Sequence, residues 1–470
     1  MSRSQAIAQV LASFDDGRFL ATLSRRVGFR TESQDPASGP ILRAYLRDEI
    51  ATSLAALGFT SRIVDNPASE RSPFLLAERI EPAAAFTLLT YGHGDVVRGY
   101  DAQWAACRSP WTISVEGNRW YGRGTADNKG QHTINFAALE QVLAVRGGRL
   151  GYDVKVILET GEETGSPGLD EMCARHRDVL AADVFLASDG PRVRASRATM
   201  FLGSRGVFNF DLHVKLREGG HHSGNWGGLL RNPGVRLAHA IASLIDANGR
   251  ILVPGLRPAG LPESVRAALK DIHVGGGPGD PEVDPDWGEP GLSPAERVFG
   301  WNTVEVLAFA TGNPAMPVNA IPPEARAHCQ MRFVVGSEAA SLLAQIRAHL
   351  DAGGFDDVEL RPSGTPMAAT RLDPEDDWVR WGVASIERST GTRPALLPNI
   401  GGSLPNDVFA QTLGLPTLWV PHSYPACSQH APNEHILADV TREALKIMAG
   451  MFWDLGDEGP GVVGARARGR

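Results

Sequence analysis

The chain has 470 residues, 43% hydrophobic and 21% charged, with a formal net charge of −8 and a pI near 5.9. That balance excludes the basic surface needed for nucleic acid or an anionic membrane, and no apolar run approaches the roughly 18 residues of a membrane span. The cysteines at 107, 173, 329 and 427 form no Cys-x-x-Cys pair, which suits a reducing cytoplasm.

Residues 4–60 read as helical, with Ile41–Leu57 at helical spacing and Gly58 as a stop. The apolar patch Ala6–Ala12 soon meets Asp15 and Asp16, so it reads as the start of an amphipathic helix rather than a signal peptide. Strand-like segments follow, the last of them Ala84–Thr90, which runs into Tyr91-Gly-His93-Gly-Asp95. Trp111–Gly130 is turn-rich and contains Tyr121-Gly-Arg-Gly-Thr-Ala-Asp127-Asn-Lys-Gly130, and a helix is expected over Thr133–Val145. Tyr152–Leu158 is a second buried strand, ending at Glu159-Thr-Gly-Glu162-Glu163-Thr-Gly-Ser166. A third, Ala182–Ala187, ends at Ser188-Asp189-Gly190. Three apolar strands that each finish in histidine or carboxylate, with helices between, predict a doubly wound, mostly parallel α/β sheet with one polar site at its edge.

The pattern changes after Gly206. Val207–Leu216 alternates strictly, as in a strand solvated on one face. A helix near Pro233–Asp246, strands at Thr303–Ala310 and Ala325–Val334, a helix at Glu338–Leu350 and a strand near Val358–Arg361 complete a βαββαβ, ferredoxin-like order. Gly275–Pro294, rich in Gly, Pro and acid, reads as an irregular insertion. The expected division is therefore 1–205 (first part of the catalytic domain), 206–368 (inserted module) and 369–470 (second part). The tail from about 456 is expected to be disordered.

The chemistry gathers in His93, Asp95, Asp127, Glu162, Glu163, Asp189 and, far downstream, His430. A carboxylate at a strand end, taken alone, is more often a helix cap or a surface charge. Several in one crevice would repel each other unless cations neutralised them, and mixed nitrogen and oxygen ligands suit Zn²⁺, Mn²⁺ or Co²⁺ better than Ca²⁺ or Mg²⁺. Ligands arranged around a shared carboxylate would hold two metals, a hydrolytic arrangement.

The segments Gly92-His-Gly-Asp-Val-Val97, Gly122-Arg-Gly-Thr-Ala-Asp127-Asn-Lys-Gly130, Glu162-Glu-Thr-Gly-Ser166, Ser188-Asp-Gly190 and His430-Ala-Pro-Asn-Glu434 occur in the order of the M20 metallopeptidases, which the chain resembles across nearly its whole length. That family contains carboxypeptidases, dipeptidases, aminoacylases and deacylases. The resemblance implies two divalent metals, zinc foremost with manganese or cobalt as alternatives. Asp127 would bridge them, His93 and Asp189 would bind one, and Glu163 and His430 the other. Glu162 would be the general base for a metal-bound hydroxide, and Asp95 would orient His93. It also implies a cis Asp127–Asn128 peptide bond. The inserted module corresponds to the family's lid and homodimerisation domain, with His222 reaching the partner's site as an oxyanion donor. Asn319, Arg332, Gly402 and Ser403 fall at substrate-contacting positions, and Arg332 could grip a carboxylate. His132, His176 and His328 are expected to be structural, and Cys427 is set aside as a rival ligand.

Two details bear on substrate. Asp189, rather than Glu, is the form in aminopeptidase and dipeptidase relatives, whereas Asn399 and Ile400 stand where dipeptidases usually carry an acid before Gly-Gly-Ser. The expectation is a cytoplasmic homodimeric hydrolase of a small dipeptide or N-acyl amino acid. The alternatives are a deacylase without dipeptidase activity, or a metal-bound scaffold without turnover, against which Glu162 speaks because a structural site needs no free base.

Overall fold

The computed structural model describes residues 2–277 and 280–469. An eight-stranded sheet forms the centre, in the spatial order Thr60–Asn66, Ser69–Arg79, Asp153–Glu159, Thr87–His93, Val184–Ala187, Thr417–Trp419, Thr199–Phe201, Ala395–Leu397. From Asp153–Glu159 to Thr417–Trp419 neighbouring strands are parallel. Both faces are buried, and the alternation along the strands decides which residue faces which layer. Leu88, Val154, Leu158 and Leu186 join a core covered by the helices Arg3–Asp15, Lys129–Val145, Asp377–Thr390 and Ala438–Gly469. Leu89, Ile157, Phe185 and Ala187 join a separate core on the opposite face.

A second, wholly antiparallel sheet orders Thr303–Thr311, Glu324–Phe333, Gly206–Lys215 and Glu359–Met367 side by side. Phe208, Phe210, Leu212 and Val214 face its own core with the helices Pro233–Leu244 and Ala339–Ala352, whereas Asn209 and Asp211 stay half-exposed. The element order is the ferredoxin-like βαββαβ. No helix or strand lies between Leu269 and Pro294 among the described residues, and positions 278 and 279 of that insertion lie outside them.

The structure corrects two readings. The tail is helical, not disordered: the helix Ala438–Gly469 runs through Pro460, with Val462 and Val463 on the core and Arg466 paired to Asp376. Apolar anchors hidden in a Gly- and Arg-rich composition hold it. The stretch Trp111–Gly130 is not only turns, since Ser114–Glu116 and Arg119–Tyr121 form a hairpin that His435–Leu437 extends. This third sheet ties the loop carrying His430 to the loop carrying Asp127.

Candidate metal centre and cleft

The carboxyl edge of the parallel strands carries the cluster. His93 ends its strand, Glu162 and Glu163 lie in a short turn after Glu159, and Asp189 follows Ala187 by two residues. Asp127 precedes the helix Lys129–Val145, and His430 lies in the loop after Trp419, at φ 60°.

Asp127 stands at the middle. Its Oδ1 is 2.9 Å from His93 Nε2, and its Oδ2 is 2.9 Å from His430 Nε2. Asp189 Oδ2 lies 3.6 Å from His93 Nε2, and Glu163 Oε2 lies 3.0 Å from His430 Nε2. Two groups of metal-ligand atoms result, His93–Asp127–Asp189 and Asp127–Glu163–His430, each with its atoms within 4.8 Å of one another. The donor chemistry fits divalent cations. So does Asp189 Oδ2, a buried carboxylate oxygen with no hydrogen-bond partner.

Charge makes the same point. Burial, reinforced by Asp127, pushes the Glu163 carboxyl up to about 7 and Asp189 up to about 6. Burial also drives Glu162 well above the carboxylate range, with Asp189, Glu163 and Asp127 adding repulsion against the opposing pull of His93. Burial would raise Asp127 too, but its bonds to His430 and His93 hold it well below the usual value. So many buried acids facing one another call for positive charge at that place.

The remaining expected residues divide. Asp95 is fully buried behind His93, its Oδ1 3.4 Å from His93 Nδ1. Its two oxygens accept from the backbone N–H groups of Glu162 (3.3 Å) and Glu163 (3.1 Å), so one carboxylate locates a histidine and a glutamate pair together. Glu162 Oε2 stands 3.9 Å from His93 Nε2 and faces a cleft of about 700 Å³. Arg332, Gly402 and Ser403 line the same cleft, with Arg332 Nη1 donating to Ser403 Oγ at 2.9 Å. His222 and Asn319 do not line it within one chain. Both are exposed on a ribbon in which His221–His222 pairs with Ala320–Ile321, and His222 Nδ1 accepts from Gly224 N–H at 3.1 Å, capping the turn. The Asp127–Asn128 bond is cis.

His132 bonds Tyr45 and Asn128 beneath the site, and His328 contacts Asp211 on the second sheet. Cys427 is buried outside both ligand groups, its thiol pushed up to about 12 chiefly by that burial.

Sequence reasoning missed two positioning residues. Glu434, almost wholly buried, accepts from the N–H groups of Gly124, Ala126 and Asp127 and pairs with Arg123 at 2.8 Å, fixing the Asp127 loop. Its place in the His430 motif was the available signal. Arg205 donates to the carbonyls of Gly401 (2.8 Å) and Trp301 (3.4 Å), anchoring the Gly401–Ser403 loop, and nothing in the local sequence marks it.

A sheet edge that gathers histidines and carboxylates around one shared aspartate is the arrangement of a metal-dependent hydrolase. The chain belongs to Peptidase family M20/M25/M40, whose family model matches residues 89–454, and is accordingly a hydrolase. It is 27% identical to the cysteinylglycine-S-conjugate dipeptidase of Corynebacterium striatum over 372 residues, covering 77% of this chain and 78% of that protein. It is 31% identical to the Beta-Ala-His dipeptidase of Mus musculus over 278 residues, 54% of each. The M20 family metallo-carboxypeptidase Sso-CP2 from Sulfolobus solfataricus superposes with a TM-score of 0.79 at 25% identity, over 93% of this chain and 98% of that one.

Proposed function

We propose that this hydrolase uses two divalent metals, zinc foremost, to cleave a dipeptide or an N-acyl amino acid. One observation carries the reading: the two oxygens of Asp127 face two separate ligand groups, with Glu162 beside them and in neither. His93 and Asp189 would hold one metal, Glu163 and His430 the other, and Asp127 both. When bound, the metals would supply Lewis acidity toward the scissile carbonyl and the attacking water. Glu162 Oε2, beside both ligand groups and open to the cleft, takes the proton of that water and returns it to the leaving nitrogen. Asp95 keeps His93 and the Glu162 turn in place. Arg332 grips the carboxylate of the leaving amino acid, with Gly402 and Ser403 forming the adjoining wall.

The module 206–368 is the lid and dimerisation domain in this reading, and 1–205 with 369–470 form the catalytic domain. Its edge strand Thr303–Thr311 exposes Leu307 and Phe309, and Met316 and Val318 are exposed beside Asn319. A second copy docked there buries that surface and presents His222 and Asn319 to the opposite cleft, His222 as the oxyanion donor. Four unpaired cysteines suit a cytoplasmic enzyme.

The relatives favour a dipeptide. Deacylation of an N-acyl amino acid is favoured instead by Ile400, which lines the cleft, and by Asn399, which is buried and bonds to the Phe299 carbonyl. A metal-dependent screen across dipeptides and N-acyl amino acids decides between them. Turnover abolished by a chelator and restored by Zn²⁺ or Mn²⁺ supports the proposal, and activity indifferent to chelation refutes it.

A further inference from the structure

We infer that the leaving half of the substrate is a single amino acid with an apolar side chain, selected by Ile400 and Val298. This rests on the hydrolase reading above and adds the substrate class to it.

The loop Ile400-Gly-Gly-Ser403 connects the edge of the ligand cluster to Arg332. At its start, Ile400 lies against Gly190, the residue after Asp189: a Cβ on Gly190, itself at φ 70°, would come within 2.7 Å of Ile400 Cδ1. At its end, Ser403 Oγ is bonded to Arg332. Three peptide units separate Ile400 from Ser403, a reach of at most about 10 Å. That reach accommodates the single leaving residue of the dipeptide or N-acyl amino acid proposed above, its amide at the Asp189 end, its carboxylate at Arg332 and its side chain against this loop.

The surface it meets is apolar. Val298 Cγ1 lies 2.8 Å, and Phe299 Cε1 3.6 Å, from where a Cβ on Gly401 would stand, whereas a Cβ on Gly402 would meet nothing within 4 Å. The loop is therefore backed by hydrocarbon and open on the cleft side. Leu404 continues the wall, and Phe299, Ile400 and Leu404 belong to one buried cluster with Val298 packed on it. The charged groups lining the cleft outside the ligand cluster and Glu162 are Arg332, Arg192 and Asp280 among the described residues. Arg192 is paired with Glu443, and Asp280 Oδ2 accepts from Gly277 N–H. A charged side chain packed against Ile400 and Val298 would exchange water for hydrocarbon, whereas an apolar one gains burial.

The experiment compares Ala-Leu, Ala-Phe, Ala-Gly, Ala-Asp, Ala-Lys and N-acetyl-leucine on the metal-loaded enzyme. Calorimetry of free leucine, aspartate and lysine on metal-loaded Glu162→Gln adds a readout without turnover. Expected are kcat/KM values for Leu and Phe at least about 10-fold above Gly and about 100-fold above Asp or Lys, with leucine the tightest of the free amino acids. Ile400→Ala and, independently, Val298→Ala should raise KM for Ala-Leu about 10-fold while leaving Ala-Gly within about twofold. Equal use of Ala-Lys or Ala-Asp, or a preference indifferent to both variants, overturns the inference while the hydrolase reading stands. Turnover of none of the six substrates overturns that reading, and this inference with it.

Discussion

Glu162 and Glu163 are neighbours in sequence with different surroundings. Glu163 belongs to a ligand group with Asp127 and His430, whereas Glu162 belongs to neither group and looks into the cleft. Separate functions can therefore be tested one atom at a time. Glu162→Gln keeps shape and removes the proton acceptor, so metal content should stay at the wild-type value while kcat falls about 10²–10⁴-fold. Metal analysis beside steady-state kinetics checks this, and a variant that loses metal as well would reassign Glu162 to the ligand set. Among the candidate site residues, His93, the Glu162–Glu163 turn and Asp189 were legible because they follow apolar strands, whereas Asp127 and His430 lie in loops and were legible only through the motifs that resemble the family. Arg205 was not, because it acts on backbone groups of a loop distant in sequence, a contact without any local pattern. Glu434 was legible only as a member of the His430 motif, its role on the Asp127 loop being a contact across more than 300 residues.

Among the elements, the helix Lys129–Val145 supports the Asp127 loop, and a buried ion network ties it to the N-terminal helices. Glu49 accepts from Arg25 Nε (2.7 Å) and Arg26 Nε (3.1 Å), and Arg26 Nη1 donates to Thr133 Oγ1 at 2.8 Å. Burial would raise the Glu49 carboxyl, but the bond from Arg25 and the charge of Arg26 outweigh it and hold it below its usual value. A carboxyl depressed on folding contributes stability that is complete above the ordinary carboxylate range, and that contribution disappears as pH falls through the depressed value. Glu49→Gln leaves Arg26 buried without its counter-charge and should cost about 3–5 kcal/mol in urea unfolding near neutral pH. That difference should shrink at acid pH, where wild-type Glu49 is itself protonated. The long strands and helices were legible because apolar periodicity specifies them. The hairpin Ser114–Tyr121 and the helical tail were not: strands of three residues are too short to show a period, and tertiary contacts override a Gly-rich composition.

For the whole molecule, the dimer proposed above, with His222 away from its own cleft, predicts behaviour that no single chain can show. His222→Ala and Glu162→Gln homodimers should each be nearly inactive. Mixing equal amounts with confirmed subunit exchange should restore about a quarter of wild-type activity, since about half the dimers are mixed and each has one intact site. Verified mixed dimers without recovery would place His222 outside catalysis in the partner. The ligand cluster has a further consequence for the chain as a polymer. Its members lie at positions 93, 127, 163, 189 and 430, so the two cations proposed there would close loops spanning more than 300 residues and join the last part of the sequence to the first. An unfolded chain offers no such preformed cage, so cation affinity becomes folding free energy: free metal at 100 times its Kd adds about 2.7 kcal/mol. The melting temperature should accordingly climb with the logarithm of metal concentration, and the chelated protein should be the first to unfold on heating.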